Sequence, residues 1–353
     1  MRITFVLPAP ARIPMGGVKV VYAHARGLAA RGHEVHVVGP RRVGEGVTAH
    51  ARALAVRVRD RLHGVRDAPY YEAEGVHTHE VPAATAAYVP DADAVIATGV
   101  QTTGPLLVLP PSKGTRFYFI QHVETFIDPR VVETWCYPFV RITVAEWIRR
   151  RVEAEGGPVA GVVPNAVDPA EFFVERPVEG RPARVVALYH RQHVKGPDVL
   201  IEALERLKAA LPEVEADVIA ARRPSHRLPG WVRVHVRPSV PALRALYNGA
   251  AVVLHTSRSE GWGLVPMEAA ACGCAVAATA SEGVQEFLAD GHSMRAVPVG
   301  DGAALAAAAL DLLRHPEERV RLARAAGEAA ARYRWPELTA RFEALLQQGV
   351  AAA

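Results

Sequence analysis

The chain has 353 residues, long enough for two domains of ordinary size, and half of them are hydrophobic against 22% charged, which excludes a disordered polypeptide. Its formal charge of +4 is shared between the two halves without a strongly basic region, so no nucleic-acid partner is expected. Three cysteines, Cys136, Cys272 and Cys274, make neither a disulfide framework nor a zinc-ligand spacing.

The apolar stretch Ile3 to Leu7 reads as a strand, and Pro8 ends it too early for a signal peptide or a membrane span. A cytoplasmic location is therefore expected. A loop carries the chain to Gly16-Gly17, and a helix is predicted from about Val18 to Ala30, with Val21, Ala25, Leu28 and Ala29 on its apolar face. Gly32 ends that helix, and Glu34 to Val38 returns as a strand. This βαβ unit is the opening of a doubly wound parallel sheet. Gly16 and Gly17 stand where the loop meets the helix, a place where bare backbone can meet a phosphate or simply make a turn. Their spacing is not that of a dinucleotide fingerprint.

From Arg41 to Arg66 there are seven arginines against two acids, Glu45 and Asp60. The pattern fits a solvated face first, with a patch for anionic lipid or an acidic acceptor as the alternative. Further strands are predicted at Asp93 to Thr98, Arg116 to Gln121 and Arg141 to Val144, with helices at Gln101 to Leu109 and Ala145 to Glu155. The strand RFYFIQ ends on His122, at the carboxyl end where open α/β sheets bind ligands. His122 is thus either structural or part of a site rim. Glu124 beside it is either an acceptor-side contact or merely exposed. Glu171 to Pro182, rich in charge and proline, reads as a linker.

The second half repeats the pattern. Ala183 to Leu188 is a strand, a loop holds Arg191 and Lys195, and a helix follows from about Pro197 to Ala210. Two cations before a helix N-terminus suit a diphosphate, and Lys195 is one of only 4 lysines beside 37 arginines. Strands Glu215 to Ala220 and Val232 to Val236, then a helix from Pro241 to Tyr247, lead to the buried run Ala251 to Leu254.

That run enters SRSEGWGLVPMEAAACG, Ser257 to Gly273. Pro266 is expected at the first helical position, with Glu268 in the first turn and Gly273 as the C-cap glycine. Gly261 and Gly263 let backbone approach a ligand. Glu260 and Glu268 bracket this amide cradle, which suits an anion and several hydroxyls. Beyond it, strands are predicted at Ala275 to Ala278 and Ser293 to Val297, and helices at Val284 to Leu288, Asp301 to Leu313 and Pro316 to Arg332. Trp335-Pro336 should interrupt the last of these before a final helix reaching about Gln347.

Glu260-x7-Glu268 enclosing Gly-Trp-Gly-Leu resembles the signature of the retaining family-4 glycosyltransferases of GT-B fold. Gly16-Gly17, His122, Pro164-Asn165 and Arg191/Lys195 occur in the family's order. The resemblance implies an α/β protein with two doubly wound Rossmann-like domains whose parallel sheets face a central cleft. The first would span 1–170, joined by the C-terminal helix 337–353, and would hold the acceptor. The second, 171–336, would hold the nucleotide sugar. It also implies roles: His122, Arg191, Lys195 and Glu260 at the reaction centre, and Gly16, Gly17, Asn165, Gly261, Trp262, Gly263, Leu264 and Glu268 around the donor. Glu268 would take the ribose and Glu260 the sugar. Tyr-His before Arg191 and a short Arg-to-Lys interval depart from the family's pattern.

The expected reaction is transfer of a hexose-type sugar from a nucleoside diphosphate sugar to a hydroxyl of a glycan, lipid-linked or small-molecule acceptor. The donor favoured is a UDP-sugar, with GDP- or dTDP-sugars as alternatives. No cofactor and no metal are expected, because no DxD-type acidic site lies near the motif and the cations and amides can take the leaving charge. Peripheral contact with the inner face of a membrane, through the basic residues, is a further expectation. Two other readings remain: a sugar-nucleotide 2-epimerase on the same fold, and a non-catalytic sugar-nucleotide-binding protein.

Overall fold

The computed structural model describes residues 1–42, 55, 58 and 70–353. Most of the basic stretch between Arg41 and Arg66 therefore lies outside the described residues. The chain divides into two compact units, Met1–Asn165 with Trp335–Ala353, and Ala166–Arg334. Among the described residues no helix is long and apolar enough to cross a membrane.

The first unit is built on a seven-stranded sheet of β1 (Arg2–Val6), β2 (Glu34–Arg42), β3 (Val76–Ala83), β4 (Ala94–Ala97), β5 (Thr115–Ile120), β6 (Val140–Thr143) and β7 (Val159–Val162). The order is β3-β2-β1-β4-β5-β6-β7, with every neighbour parallel. The central strands are apolar and covered on both faces, as parallel strands between helices must be; Phe5, Ile96, Phe117 and Phe119 have no exposed surface. β3 escapes sequence reading because VHTHEVPA is polar and mostly exposed, the composition of an edge strand. The strand order reverses between β1 and β4, which makes their carboxyl ends the switch point of this sheet.

The last helix, Trp335–Ala351, belongs to this first unit. Trp335-Pro336 does not interrupt a helix but opens one, after Pro316–Ala331 has ended, because a proline's missing N–H costs nothing in a first turn. It packs on the helix Gly16–Ala30 at Gly27, where a Cβ would stand 2.9 Å from the Thr339 side chain. His24, one turn away, is fully buried, stacked on Phe342 at 4.7 Å and edge-on to Trp335 at 5.2 Å.

The second unit carries a six-stranded parallel sheet of β8 (Arg184–Tyr189), β9 (Glu215–Ala220), β10 (Arg233–Val236), β11 (Val252–His255), β12 (Ala275–Thr279) and β13 (Arg295–Val297). Its order is β10-β9-β8-β11-β12-β13. The helix Pro197–Ala210 lays Val199, Leu200, Ala203, Leu204 and Leu207 against it at helical spacing.

The expected linker, Glu171 to Pro182, is a packed part of this unit. The Asn248 side chain accepts from the Glu175 N–H at 2.7 Å and donates to the Phe173 carbonyl at 3.0 Å. The buried Arg181 guanidinium donates to the carbonyls of Arg176, Pro177, Tyr247, Ala250 and Cys272. A charge satisfied wholly by backbone leaves no carboxylate partner in the sequence to betray it.

Burial lowers His24 from 6.5 to about 3. The unfolded chain therefore binds a proton below pH 6.5 that the native state refuses until about pH 3, so stability falls as pH falls through that window. Thermal melts of wild type and His24→Phe between pH 7 and about 4 should show the variant's melting temperature declining less steeply.

Candidate active site

In the second unit, the charged residues gather after the carboxyl ends of β8 and β11. β8 runs into His190-Arg191-Gln192, a 3-10 turn at His193–Lys195, and Gly196 with φ of +63°. The Lys195 carbonyl accepts from the Thr256 hydroxyl at 2.8 Å, and the Val194 carbonyl from the Arg258 N–H at 2.7 Å. These bonds zip the cation loop onto the end of β11. The fit leaves no room for a side chain at 196, since a Cβ there would lie 2.1 Å from the Thr256 carbonyl oxygen.

Lys195 Nζ reaches Glu260 Oε2 at 2.8 Å, and the Ser257 hydroxyl donates to Glu260 Oε1 at 2.7 Å. His255 Nε2 stands 3.8 Å from the same Oε1. Burial alone would raise the Glu260 carboxyl, but the Lys195 charge, His255 and the two hydrogen bonds outweigh it and hold the group at about 2. His255 is driven down to about 4 by burial and by Lys195, against the pull of Glu260. His190 also falls to about 4, through burial and then the cations Lys195, Arg191 and Arg222. At neutral pH the site thus holds an ionised carboxylate, two neutral imidazoles and at least three cationic side chains. That excess of positive charge favours an anion.

The glycine-rich motif folds differently from expectation in one respect. Its helix is Leu264–Ala271, entered through Gly263 at φ of +102°. Pro266 is therefore its third residue and Glu268 its fifth, outside the first turn. Glu268 is held instead by enclosure: it is buried, and the Tyr247 hydroxyl donates to its Oε2 at 3.4 Å. Gly273, at φ of +83°, follows the C-cap Cys272 as expected. Cys272 and Cys274 are buried, their thiols raised to about 12 chiefly by that burial.

The Trp262 side chain is buried within the unit. It stacks on Phe287 at 5.6 Å, meets Tyr333 edge-on at 5.0 Å, and donates from Nε1 to Met267 Sδ at 3.3 Å. Only its backbone is left to contact a donor. The amides of Gly261, Gly263 and Leu264 lie in the same turn, ahead of a helix whose first-turn N–H groups have no intrahelical acceptor. Gly283, unremarked in the sequence, presses on this turn: a Cβ there would lie 2.6 Å from the Glu260 carbonyl oxygen.

In the first unit, Gly16 and Gly17 are the first two residues of their helix and are exposed. A Cβ on Gly17 would lie 3.3 Å from Gln121 Oε1, so the helix start and the end of β5 are neighbours. His122 follows, with Nδ1 accepting from the Glu124 N–H at 3.2 Å and its ring edge-on to Phe126 and Trp147. Glu124 is not an exposed residue but a half-buried one in left-handed backbone, φ +54°. Asn165 closes the unit, its side chain buried with no hydrogen-bond partner for Oδ1 among the described residues.

Comparison with known proteins gives this arrangement a context. Residues 170–329 match the family described as glycosyl transferases group 1. A phosphatidyl-myo-inositol mannosyltransferase of Mycolicibacterium smegmatis is 28% identical over 96% of this chain and 92% of its own. A D-inositol 3-phosphate glycosyltransferase of Corynebacterium urealyticum is 33% identical over 43% of this chain and 40% of its own. The structure of Anabaena HepE in complex with UDP-glucose superposes with a TM-score of 0.73, at 16% identity, covering 99% of this chain and 100% of that one. Two parallel-sheet α/β units of this kind, superposing on that structure, give the chain the GT-B fold. The match to the group 1 glycosyl transferases covers most of the second unit, and the likeness to the mannosyltransferase runs over nearly the whole chain.

Gly196→Ala tests whether the cation loop depends on its glycine. The overlap with Thr256 and the left-handed backbone should together lower stability by about 1–3 kcal/mol in denaturant unfolding. Displacing Lys195 should also weaken UDP binding measured by calorimetry.

Proposed function

We propose that the protein transfers a hexose-type sugar from a nucleoside diphosphate sugar, a UDP-sugar first, to a hydroxyl acceptor, with retention at the anomeric carbon and without a metal. The observation that carries this reading is the Lys195–Glu260 pair at 2.8 Å, set among Arg191, Arg222 and the amides that follow Glu260. Breaking the anomeric C–O bond places negative charge on the departing diphosphate and positive charge on the sugar. Arg191 and Lys195 meet the first, with the helix N-terminus at Leu264 behind them. Glu260, held ionised, accepts from sugar hydroxyls and lies on the side that becomes positive. The two charges of the ion pair thus match the two charges of the transition state, one for one.

Glu268 is assigned the ribose hydroxyls, since it is a buried carboxylate on the helix that follows the amides. In the first unit, Gly16 and Gly17 are assigned to the donor phosphate and His122 to the donor sugar at the reaction centre, with the acceptor hydroxyl passing its proton to a phosphate oxygen as attack occurs on the face the diphosphate leaves. The two relatives are named for inositol-containing acceptors, so a cyclic polyol or a lipid bearing one is the acceptor class to examine first.

A thermal-shift screen with UDP, GDP, dTDP and ADP identifies the donor base by the nucleotide that raises the melting temperature. With that donor, Lys195→Ala and Arg191→Ala should each lower kcat by on the order of 10²–10³, and Glu268→Ala should chiefly weaken nucleotide binding. EDTA should leave turnover unchanged, and proton NMR of the product should show the donor's anomeric configuration. Full activity in all three variants would sink the site assignment. Conversion of donor with no acceptor present would establish an epimerase instead.

A further inference from the structure

Glu124 touches His122 only through its own N–H, and its carboxylate is held elsewhere. It sits just past the carboxyl end of β5, in a left-handed backbone conformation (φ +54°) that a side-chain-bearing residue adopts only at a cost. What the conformation achieves is to aim the carboxylate back over the sheet edge. Oε2 accepts from the Val100 N–H, the first residue of the helix Val100–Leu107, at 2.7 Å, and lies 3.5 Å from the Tyr118 hydroxyl. The helix N-terminus is thereby occupied by the protein's own anion.

The other oxygen is differently placed. Among the described residues Glu124 Oε1 accepts no hydrogen bond, and neither does Gln101 Oε1, which is buried. Both face the same glycine. Measured from the Cβ that Gly99 lacks, Gln101 Oε1 is at 3.0 Å, Glu124 Oε1 at 3.6 Å, and Pro8 Cγ at 2.8 Å. Pro8 follows β1, Gly99 follows β4 and Glu124 follows β5, so the two acceptors converge at the switch point of the sheet, where such sheets bind ligands. Two acceptor oxygens without donors call for a ligand that brings hydroxyl hydrogens.

We propose that Glu124 and Gln101 form a polyol subsite in the first unit, in which adjacent hydroxyls of an uncharged, polyhydroxylated acceptor donate to Glu124 Oε1 and Gln101 Oε1. This deepens the reading of the protein as a glycosyltransferase and rests on it, by naming the groups that select and orient the acceptor. It gives the strained backbone at Glu124 a purpose, and it accounts for a glycine at 99, where a side chain would fill the space between the two oxygens. Burial raises Glu124 to about 7, with the Val100 N–H and the Tyr118 hydroxyl pulling the other way. The titratable groups beside it are the Tyr118 phenol on β5, itself raised well above its ordinary value by burial, and the His122 imidazole on its own loop. The Val100–Leu107 helix and the Pro8 segment face it with backbone, Gln101 and proline, none of which titrates. Ionised Glu124 is the better acceptor, so polyol binding strengthens as pH rises through about 7.

The experiment uses the full chain with myo-inositol as the polyol and cyclohexanol as the single-hydroxyl control. Binding is followed by saturation-transfer NMR at pH 6 and pH 8, alongside UDP affinity by calorimetry. Wild type should bind myo-inositol more tightly at pH 8 and ignore cyclohexanol. Glu124→Gln and Gln101→Met should each weaken it by on the order of tenfold or more, Glu124→Gln should abolish the pH dependence, and both should keep wild-type UDP affinity. Wild type that fails to bind myo-inositol, or variants that bind it as well as wild type with the same pH dependence, would overturn the subsite. Failure of wild type to bind any nucleotide or turn over any nucleotide sugar would instead overturn the glycosyltransferase reading, which keeps the two failures separate.

Discussion

Every strand of both sheets runs parallel to its neighbours, and that one constraint decides where chemistry can occur. A parallel strand cannot be joined to the next by a hairpin, so each connection crosses a face of the sheet as a helix and returns to the same starting edge. All carboxyl ends then open onto one edge of each sheet. Gly16-Gly17 follow β1, Gly99 follows β4, Gln121 to Glu124 follow β5, His190 to Lys195 follow β8, and Ser257 to Glu260 follow β11. Residues far apart in the chain therefore meet at this shared edge, about a hundred positions in the first unit and up to seventy in the second.

Crowding charges on such an edge raises a second problem, that of keeping them ionised where water is scarce. Glu260 solves it with a lysine cation and a serine hydroxyl and remains a carboxylate. Glu124, with one backbone N–H and a distant phenol, does not, and titrates near neutrality. The same chain thus holds two enclosed glutamates with opposite protonation behaviour, set by the presence or absence of a single lysine. Arg181 shows a third solution, a guanidinium spread over five carbonyls, three of them at the carboxyl ends of two helices where a positive charge is favoured.

What the sequence discloses follows the same physics. Apolar runs such as DAVIAT and AVVL announce buried parallel strands, and Gly263, Gly273 and Lys195 announce themselves by residue type at the positions that need them. The edge strand β3 does not, because it has a neighbour on one side only and VHTHEVPA carries no hydrophobic period. Glu268 is misplaced by two residues because the helix starts at Leu264 after Gly263 rather than at Pro266, and a glycine followed three residues later by proline permits either start. The packed role of Glu171 to Pro182 and the closeness of Gln101 to Glu124 are tertiary facts. No local pattern encodes which carbonyls a buried arginine will find, nor which two side chains will share the space beside a glycine.

The cysteines carry a practical corollary. Cys136 is exposed, whereas Cys272 and Cys274 are enclosed and stay protonated far above neutral pH. Since the thiolate is the reactive species, a maleimide offered to the native chain meets one addressable thiol, on the first unit. The other two become available only when the second unit opens. Counting attached labels by mass therefore reports the integrity of the second unit directly, and a fluorophore can be placed on the first without removing a single native residue.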